Sequence, residues 1–234
     1  MSSGPRLCDG ALVEAIAARA AAARDRIAGA GGDPERVRIV AVTKGFGPEE
    51  VAAAFAAGLK GFGENYADEL ISKWATVGHG ATWHFLGAVQ RNKVGRLARF
   101  VDCWQAVARV VEGEAIKRHQ AGVARPGPPS LLVEVDTTGL EGRGGCTAAE
   151  VPGVVAGLRE MGCRVEGLMT VAPLGDESLK RAAFDQVARL GGELGLTELS
   201  MGMSADLEQA VAAGATMVRL GTCLFGPRPQ PRRL

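Results

Sequence analysis

A lysine follows a short apolar run in the first quarter of the chain. Residues 39–42 read Ile-Val-Ala-Val, a continuous run typical of a parallel strand that is buried on both faces, and Lys44 and Gly45 come just after it. At the low-dielectric end of such a strand, loss of hydration lowers the pKa of a lysine and makes its free amine available to carbonyl compounds. Lys44 is therefore a candidate for Schiff-base chemistry. The alternative is a lysine that reaches solvent or pairs with a carboxylate.

A second group of polar residues, near the end of the chain, favours an anionic ligand. Gly221 and Thr222 precede a short predicted helix, whose first N–H groups can bind a phosphate, and Ser200 and Ser204 can supply further donors. Arg219 lies in an apolar run, where a buried guanidinium keeps its proton and needs an acceptor such as a heteroaromatic ring nitrogen. Ordinary turn glycines and helix-capping serines are the structural alternative.

Three further residues are candidates for the wall of the same site. Asn65 follows the second predicted strand and can bind a ligand or cap a helix. His84 lies in an aromatic run, where it is either a hydrogen-bonded core residue or a neighbour of the ligand, and Met169 ends an apolar run as a pocket wall or as core. Because the chain has only three histidines, we expect no metal centre.

Eight short β-like runs alternate with alanine-rich helical stretches, and these elements must bring the polar residues together. Two of the helical stretches are 48–58, with proline in its first turn, and 204–214, with Ser204 as its N-cap. Eight strand–helix units of about 25 residues predict an α/β fold, a (β/α)8 TIM-like barrel with an extra N-terminal helix. An open doubly wound sheet is the alternative. The predicted strands span 38–43, 61–63, 82–87, 101–106, 130–136, 164–169, 197–202 and 216–221.

Such a barrel would gather the candidate residues at one end. Ligands of these barrels bind at the carboxyl ends of the strands, and phosphate is favoured after the seventh and eighth strands. Lys44 follows the first predicted strand, while 200–204 and 221–222 follow the seventh and eighth. The sequence therefore predicts an amine and a phosphate-binding seat at the same mouth.

Composition indicates a globular protein without a strong overall charge. The 234 residues are 47% hydrophobic and carry a net charge of +1, so no overall field attracts nucleic acid or membrane. Five scattered cysteines fit a reducing compartment, and no apolar run approaches the roughly 20 residues of a membrane span. We expect a cytoplasmic protein with a single domain over 1–234, with flexible tails at 1–10 and 229–234.

The motifs resemble those of a known family over residues 10–228. The chain contains, in the family's order, "IVAVTK", "FGENYADEL", "WHFLGAVQRNK", "GLMTVAP" and "LSMGMSADLEQAVAAGATMVRLGTCLFGPR". These segments resemble the pyridoxal phosphate homeostasis proteins (the YggS/PROSC family). The resemblance implies a barrel of the alanine racemase N-terminal type (a fold type III pyridoxal phosphate protein), with pyridoxal 5'-phosphate (PLP) bound covalently to Lys44. It places Arg219 at the ring nitrogen, Ser200, Gly221 and Thr222 at the phosphate, and Asn65, His84 and Met169 nearby.

The resemblance also implies a role in PLP (vitamin B6) homeostasis without robust catalysis. The alternative, a PLP-dependent amino-acid racemase, would need a second acid/base on the face of the substrate opposite Lys44. In alanine racemase that group is a tyrosine from an additional C-terminal domain, whereas this chain ends eight residues after Gly226 and has Tyr66 as its only tyrosine. We therefore expect a monomeric PLP carrier, with PLP-dependent apo-enzymes as candidate recipients. A phosphate-binding isomerase with Glu134 or Asp136 as base is a third alternative.

Overall fold

The computed structural model describes residues 9–121, 123 and 127–228. The predicted tails at 1–10 and 229–234 lie outside the described residues except for Asp9 and Gly10, which form the start of the first helix, and parts of the loop after residue 121 also lie outside them. In the described part of the chain the strands are β1 (Arg38–Val42), β2 (Gly61–Glu64), β3 (Thr82–Phe85), β4 (Cys103–Val107), β5 (Ser130–Asp136), β6 (Cys146–Thr147), β7 (Arg164–Met169), β8 (Glu198–Ser200) and β9 (Met217–Leu220). The helices are α1 (Gly10–Gly29), α2 (Pro48–Ala56), α3 (Ala67–Val77), α4 (Arg91–Leu97), α5 (Val110–Gln120), α6 (Val151–Glu160), α7 (Glu177–Glu193), α8 (Leu207–Ala212) and α9 (Thr222–Phe225).

Eight of these strands form a closed parallel barrel. The strands follow one another in the order β4-β3-β2-β1-β9-β8-β7-β5, and a further pairing of β4 with β5 closes the ring. This closure confirms the predicted (β/α)8 barrel and excludes the open doubly wound sheet. The N-terminal helix is present as α1, whose first turn is capped by the Asp9 carboxylate.

The predicted strands differ from the observed ones mainly at their ends. Runs 130–136 and 164–169 coincide with β5 and β7, and the shortest predicted run, 61–63, forms β2. β4 begins later than predicted because Phe100 and Val101 still hydrogen-bond back to the last turn of α4. The two-residue β6, which pairs only with β5, was not predicted, since so short a bridge leaves no alternating pattern.

The start of α8 also differs from the prediction. The helix begins at Leu207, and Asp206 takes the N-cap position that the sequence had suggested for Ser204. The Asp206 carboxylate accepts a hydrogen bond from the Met203 N–H, so residues 203–206 form a separate turn. Ser204 is thereby left at the carboxyl end of the barrel, free of a capping role in α8.

The barrel divides the buried side chains into two layers. The outer faces of the strands pack against the helices and include Phe62, Trp83 and Trp104, all fully buried. The interior is filled by a small apolar cluster and by polar side chains, which is unusual because buried polar groups must find partners. No helix in the described ranges is both long and apolar enough to cross a membrane.

Candidate functional site

Lys44 lies just past the carboxyl end of β1, at the mouth of the barrel. β1 ends at Val42, and the Lys44 side chain is half-buried. Burial lowers the pKa of its ammonium group, and the charges of Arg228 and Arg219 lower it further, while Glu64 acts in the opposite direction. The amine is therefore easier to deprotonate than that of a solvated lysine, as a nucleophile for carbonyl compounds requires.

A buried ionic cluster holds the backbone on both sides of Lys44. Glu64 Oε1 accepts hydrogen bonds from Thr43 Oγ1 at 2.5 Å and from Lys73 Nζ at 2.7 Å. Lys73 Nζ also donates to the Thr43 carbonyl oxygen at 2.7 Å and to Glu69 Oε2 at 2.6 Å, and the Gly45 N–H donates to the same Glu69 oxygen at 2.9 Å. α3, which supplies Glu69 and Lys73, therefore fixes the backbone at Thr43 and Gly45.

Arg219 lies inside the barrel and is 5% exposed. Its Nη1 donates to the Ser200 carbonyl oxygen at 2.6 Å and to Ser200 Oγ at 2.8 Å, and its Nη2 donates to the Thr170 carbonyl oxygen at 2.7 Å. Burial lowers the Arg219 pKa to about 10, so the guanidinium remains charged at neutral pH. These three bonds use three of its five N–H donors and leave two for a ligand.

A chain of polar side chains crosses the barrel interior from Arg219. Ser200 Oγ donates to Gln105 Oε1 at 2.6 Å, and Gln105 Nε2 donates to His84 Nδ1 at 2.9 Å and to the Met217 sulfur at 3.0 Å. Burial, with a smaller contribution from the charge of Arg38, lowers the His84 pKa to about 3, so its ring is neutral. These hydrogen bonds give partners to polar side chains that would otherwise be buried without any.

The two candidate serines of the phosphate seat lie in different environments. Ser200 is fully buried, and its hydroxyl is engaged in the interior, whereas Ser204 is half-buried beyond the turn. Gly202 turns the chain between them with φ +92°, and a Cβ at this position would lie 2.5 Å from the Ala210 Cβ. Contact of the Ser200 hydroxyl with a phosphate stays a prediction, and it would require exchange of the hydrogen bonds just described.

The loop after β9 carries two more of the residues predicted to bind phosphate, Gly221 and Thr222. α9 begins at Thr222, whose side chain is exposed, and Ser204 Oγ accepts a long hydrogen bond of 3.4 Å from the Cys223 N–H. A Cβ on Gly221 would lie 3.3 Å from the Val42 carbonyl oxygen, so the glycine lets this loop lie directly against the end of β1. The structure thus brings Gly221, Thr222 and Ser204 to the mouth where Lys44 lies.

The remaining candidates are more spread out. Asn65 follows β2 at the mouth and is half-buried. Its backbone carbonyl oxygen would lie 2.2 Å from a Cβ on Gly87, so the two backbones approach closely because residue 87 is a glycine. Met169 belongs to the apolar cluster of the interior. His84 lines a cavity at the amino ends of β1, β2 and β3, so the structure does not bring it to the Lys44 end. A contact between His84 and a ligand at the mouth stays a prediction.

Two features of the site were not predicted from the sequence. Gln105 lies two residues after Cys103 in β4, so it shares the inward face, and a polar residue in that apolar strand was a readable signal. Glu69 and Lys73 are four residues apart in α3, the spacing of a helical ion pair. That spacing suggests a solvent-exposed pair, and nothing in the sequence indicated that the Lys73 side chain would be 3% exposed.

Two carboxylates at the end of β5 have different roles. Asp136 Oδ1 accepts hydrogen bonds from the Thr138 N–H and hydroxyl, so it caps a turn. Glu134 lies against the backbone at Gly144, and burial raises its pKa to about 7, although the charge of Arg219 opposes the shift. Glu134 is therefore a better candidate for a proton acceptor than Asp136. Its raised pKa also means that its carboxylate form is disfavoured in the folded protein.

Replacing Glu134 by glutamine is expected to stabilise the ligand-free protein at pH 8. The folded-state pKa of about 7 lies above the ordinary 4.5, so the native protein binds the extra proton and loses stability as the pH rises from about 4.5 through 7. Partial solvent screening leaves a gain of roughly 1–2 kcal/mol for the variant, which disappears at pH 4. Urea unfolding at both pH values measures this, with exposed Glu160→Gln as the control. Equal stability of E134Q and wild type at pH 8 would contradict the prediction.

Residues 12–229 match the family described as alanine racemase, N-terminal domain. The pyridoxal phosphate homeostasis protein of Pseudomonas aeruginosa is 35% identical over 223 residues, which cover 93% of this chain and 96% of that protein. The protein of the same name from Deinococcus radiodurans is 39% identical over 203 residues, covering 86% of this chain and 95% of that protein.

A solved structure agrees with these matches. PipY of Synechococcus elongatus PCC7942, determined with PLP bound, is similar with a TM-score of 0.79 and 34% identity, covering 90% of this chain and 100% of that one. The matches extend over nearly the full length of this chain and of its relatives, as the motifs had implied. The chain therefore belongs to the family of pyridoxal phosphate homeostasis proteins, built on the barrel of the alanine racemase N-terminal domain.

Proposed function

We propose that this chain binds PLP covalently through Lys44 at the barrel mouth and takes part in PLP homeostasis. The observation that carries the proposal is the position of the amine. Lys44 is half-buried, its pKa is lowered by burial and by two arginines, and it lies beside the loop at Gly221 and Thr222. The family membership and the PLP-bound relative support the same ligand.

The residues at the mouth fit this cofactor. A bound phosphate needs N–H and hydroxyl donors, which Thr222, the Cys223 N–H and Ser204 provide, and its charge is complemented by Arg228 and Arg219. The long hydrogen bond from Cys223 to Ser204 is one that an anionic acceptor could replace. When bound, PLP supplies an aldehyde carbon with which Lys44 Nζ forms a Schiff base, with loss of water.

Arg219 favours binding over catalysis. Because its pKa stays near 10, the guanidinium keeps its proton when it donates a hydrogen bond to an acceptor such as a pyridine nitrogen. A pyridine nitrogen that accepts this hydrogen bond would stay mostly unprotonated, and its ring would be a weaker electron sink than one paired with a carboxylic acid. Tyr66, the only tyrosine of the chain, is 63% exposed, so it offers no fixed second acid/base opposite Lys44. These features support a carrier that exchanges PLP with PLP-dependent apo-enzymes, and we propose that it does so as a monomer with a single domain.

The visible absorbance of the purified protein tests the covalent bond. We expect a yellow protein, or one that turns yellow on addition of PLP, whose colour is lost on treatment with borohydride. Peptide mass mapping should then place a reduced PLP adduct on the peptide that contains Lys44. A protein that stays colourless and unmodified with excess PLP would overturn the proposal, and an adduct on another lysine would move the anchor.

A further inference from the structure

We propose that a cavity across the barrel mouth from Lys44 is a binding site for a small primary alkylammonium compound, with the Glu134 carboxylate as its counter-ion. The cavity lies at the carboxyl ends of β4 and β5 and has a volume of about 680 Å³, which is the size of a small-molecule site. The strand order places β5 four strands from β1 in either direction around the ring. This site is distinct from the proposed function, because it takes a different ligand and does not require that PLP bind.

The Glu134 side chain points into this cavity from β5. Side chains alternate along a strand, and Leu132, two residues earlier, belongs to the apolar cluster of the barrel interior. Glu134 therefore shares the inward face, and it lines the cavity. A Cβ on Gly144 would lie 2.9 Å from Glu134 Oε2 and 3.0 Å from Oε1. Because residue 144 is a glycine, no side chain covers the two carboxylate oxygens from that direction.

Three carboxyl side chains of the described residues line the cavity, and two of them already have partners. Glu112 Oε1 accepts hydrogen bonds from Arg109 Nε at 2.9 Å and Nη2 at 2.7 Å. Glu150 Oε2 accepts from the Thr147 N–H and hydroxyl, both at 2.8 Å. Within the described ranges, no hydrogen bond or ion pair reaches the Glu134 carboxyl group, whose ionisation is affected only by burial and by more distant charges. A ligand that brings both N–H donors and positive charge is therefore favoured beside Glu134.

The remaining lining residues narrow the class of ligand. Small apolar side chains suit an alkyl chain, and they include Ala88, Val89, Ala106, Val110 and Val154. No aromatic side chain of the described residues lines the cavity, so it lacks the aromatic cage that binds quaternary ammonium groups. The described residues also contain no group of three or more histidine, cysteine or carboxylate side chains that could hold a metal ion. A primary ammonium group on an alkyl chain fits both the lone carboxylate and the apolar walls.

The groups around Glu134 determine the pH range in which the site can bind a cation. The charged groups that act on it are Arg219 from β9, Arg143 from the loop before β6, Glu112 from α5 and Asp136 from β5. Burial has the largest effect and raises the pKa of Glu134 to about 7. Burial also raises the thiol pKa of Cys146 on β6 to about 11, so this neighbour stays neutral. Because the alkylammonium group itself stays charged, we expect its affinity to rise about tenfold between pH 6 and pH 8 as Glu134 ionises.

Titration with n-butylammonium chloride, followed by saturation-transfer difference NMR, tests the proposal. The protein is first treated with borohydride and dialysed, so that no aldehyde can react with the amine. We expect saturable binding at pH 8 that is about tenfold weaker at pH 6 and about tenfold weaker in Glu134→Gln. Methylammonium should bind several-fold more weakly because it lacks the alkyl chain. n-Butyltrimethylammonium keeps the chain and the charge but has no N–H donor, so it should bind about tenfold more weakly.

Glu150→Gln is the matched control for the loss of a carboxylate. Glu150 lines the same cavity, but its side chain is exposed and already accepts two hydrogen bonds from Thr147. The variant should therefore keep its affinity for n-butylammonium within about twofold of wild type. Unchanged binding in E134Q, an equal loss in E150Q, an affinity that does not rise with pH, or equal binding of the trimethyl compound would overturn the proposal. A wild-type protein that forms no PLP adduct would count against the proposed function only.

Discussion

Replacing Lys44 by alanine is expected to abolish covalent PLP binding and to leave the barrel folded. The proposed anchor amine is lost, while the proposed phosphate-binding loop at Gly221 and Thr222 and the cations at Arg219 and Arg228 remain. Since burial lowers the pKa of Lys44, the charged side chain contributes no stability, and its removal should change the free energy of unfolding by less than about 1 kcal/mol.

The measurement combines two readouts on the same sample. After incubation with PLP and borohydride, K44A should carry no reduced adduct, whereas its urea unfolding curve should match that of wild type. Lys60→Ala is the matched control, because Lys60 is an exposed lysine that lies over the Phe55 ring, outside the mouth. A reducible adduct that persists in K44A would show that a different lysine is the anchor.

The barrel could be predicted because its signals are local. β1 and β5 contain the continuous apolar runs 39–42 and 131–133, and a glycine or proline marks many of the intervening turns. Eight units could therefore be counted without any knowledge of tertiary contacts. The barrel rule then placed Lys44, Gly221 and Thr222 at one mouth, and the close approach of Gly221 to the Val42 carbonyl agrees with that placement.

The side-chain partners of the site could not be predicted in the same way. Ser200 and Ser204 are four residues apart in one motif, yet one hydroxyl points into the barrel toward Gln105 and the other lies beside Cys223. Which of them turns inward depends on the three-residue length of β8 and on the left-handed Gly202. The partners of Lys73 are likewise set by how α3 packs over the end of β1, which is a long-range property.

The motifs also identified residues without indicating which groups their side chains contact. The resemblance placed Arg219 at the ring nitrogen and His84 near the cofactor, and the structure joins them through Gln105 and Ser200 into one buried polar chain. In a sequence, both roles look the same: a charged residue within an apolar run. That residue can be an arginine that contacts a ligand or an arginine that holds a polar core together. The structure shows that Arg219 has the second task, and its spare N–H donors are compatible with the first.

Replacing Arg219 by glutamate is therefore expected to destabilise the ligand-free protein strongly. The guanidinium donates to three oxygen acceptors of Ser200 and Thr170. A carboxylate in its place would remove all three hydrogen bonds, leave the Ser200 carbonyl oxygen with the Thr170 N–H alone, and add a buried negative charge near Glu134. Removing one partner from a buried charged network costs about 3–5 kcal/mol, which is a large part of the stability of a domain of this size. Urea unfolding of the ligand-free protein measures the loss.

Arg181→Glu is the matched control for the same change of charge. Arg181 lies on α7, is half exposed and pairs with Asp185, so its reversal should cost less than about 1 kcal/mol. In the fraction of R219E that folds, a shifted PLP spectrum and a changed PLP affinity would support contact with the ring nitrogen, and an unchanged spectrum would remove Arg219 from that role. A buried carboxylate among carbonyl oxygens should cost stability. Equal stability of R219E and R181E would therefore contradict the prediction and show that the interior polar chain does not depend on the Arg219 guanidinium.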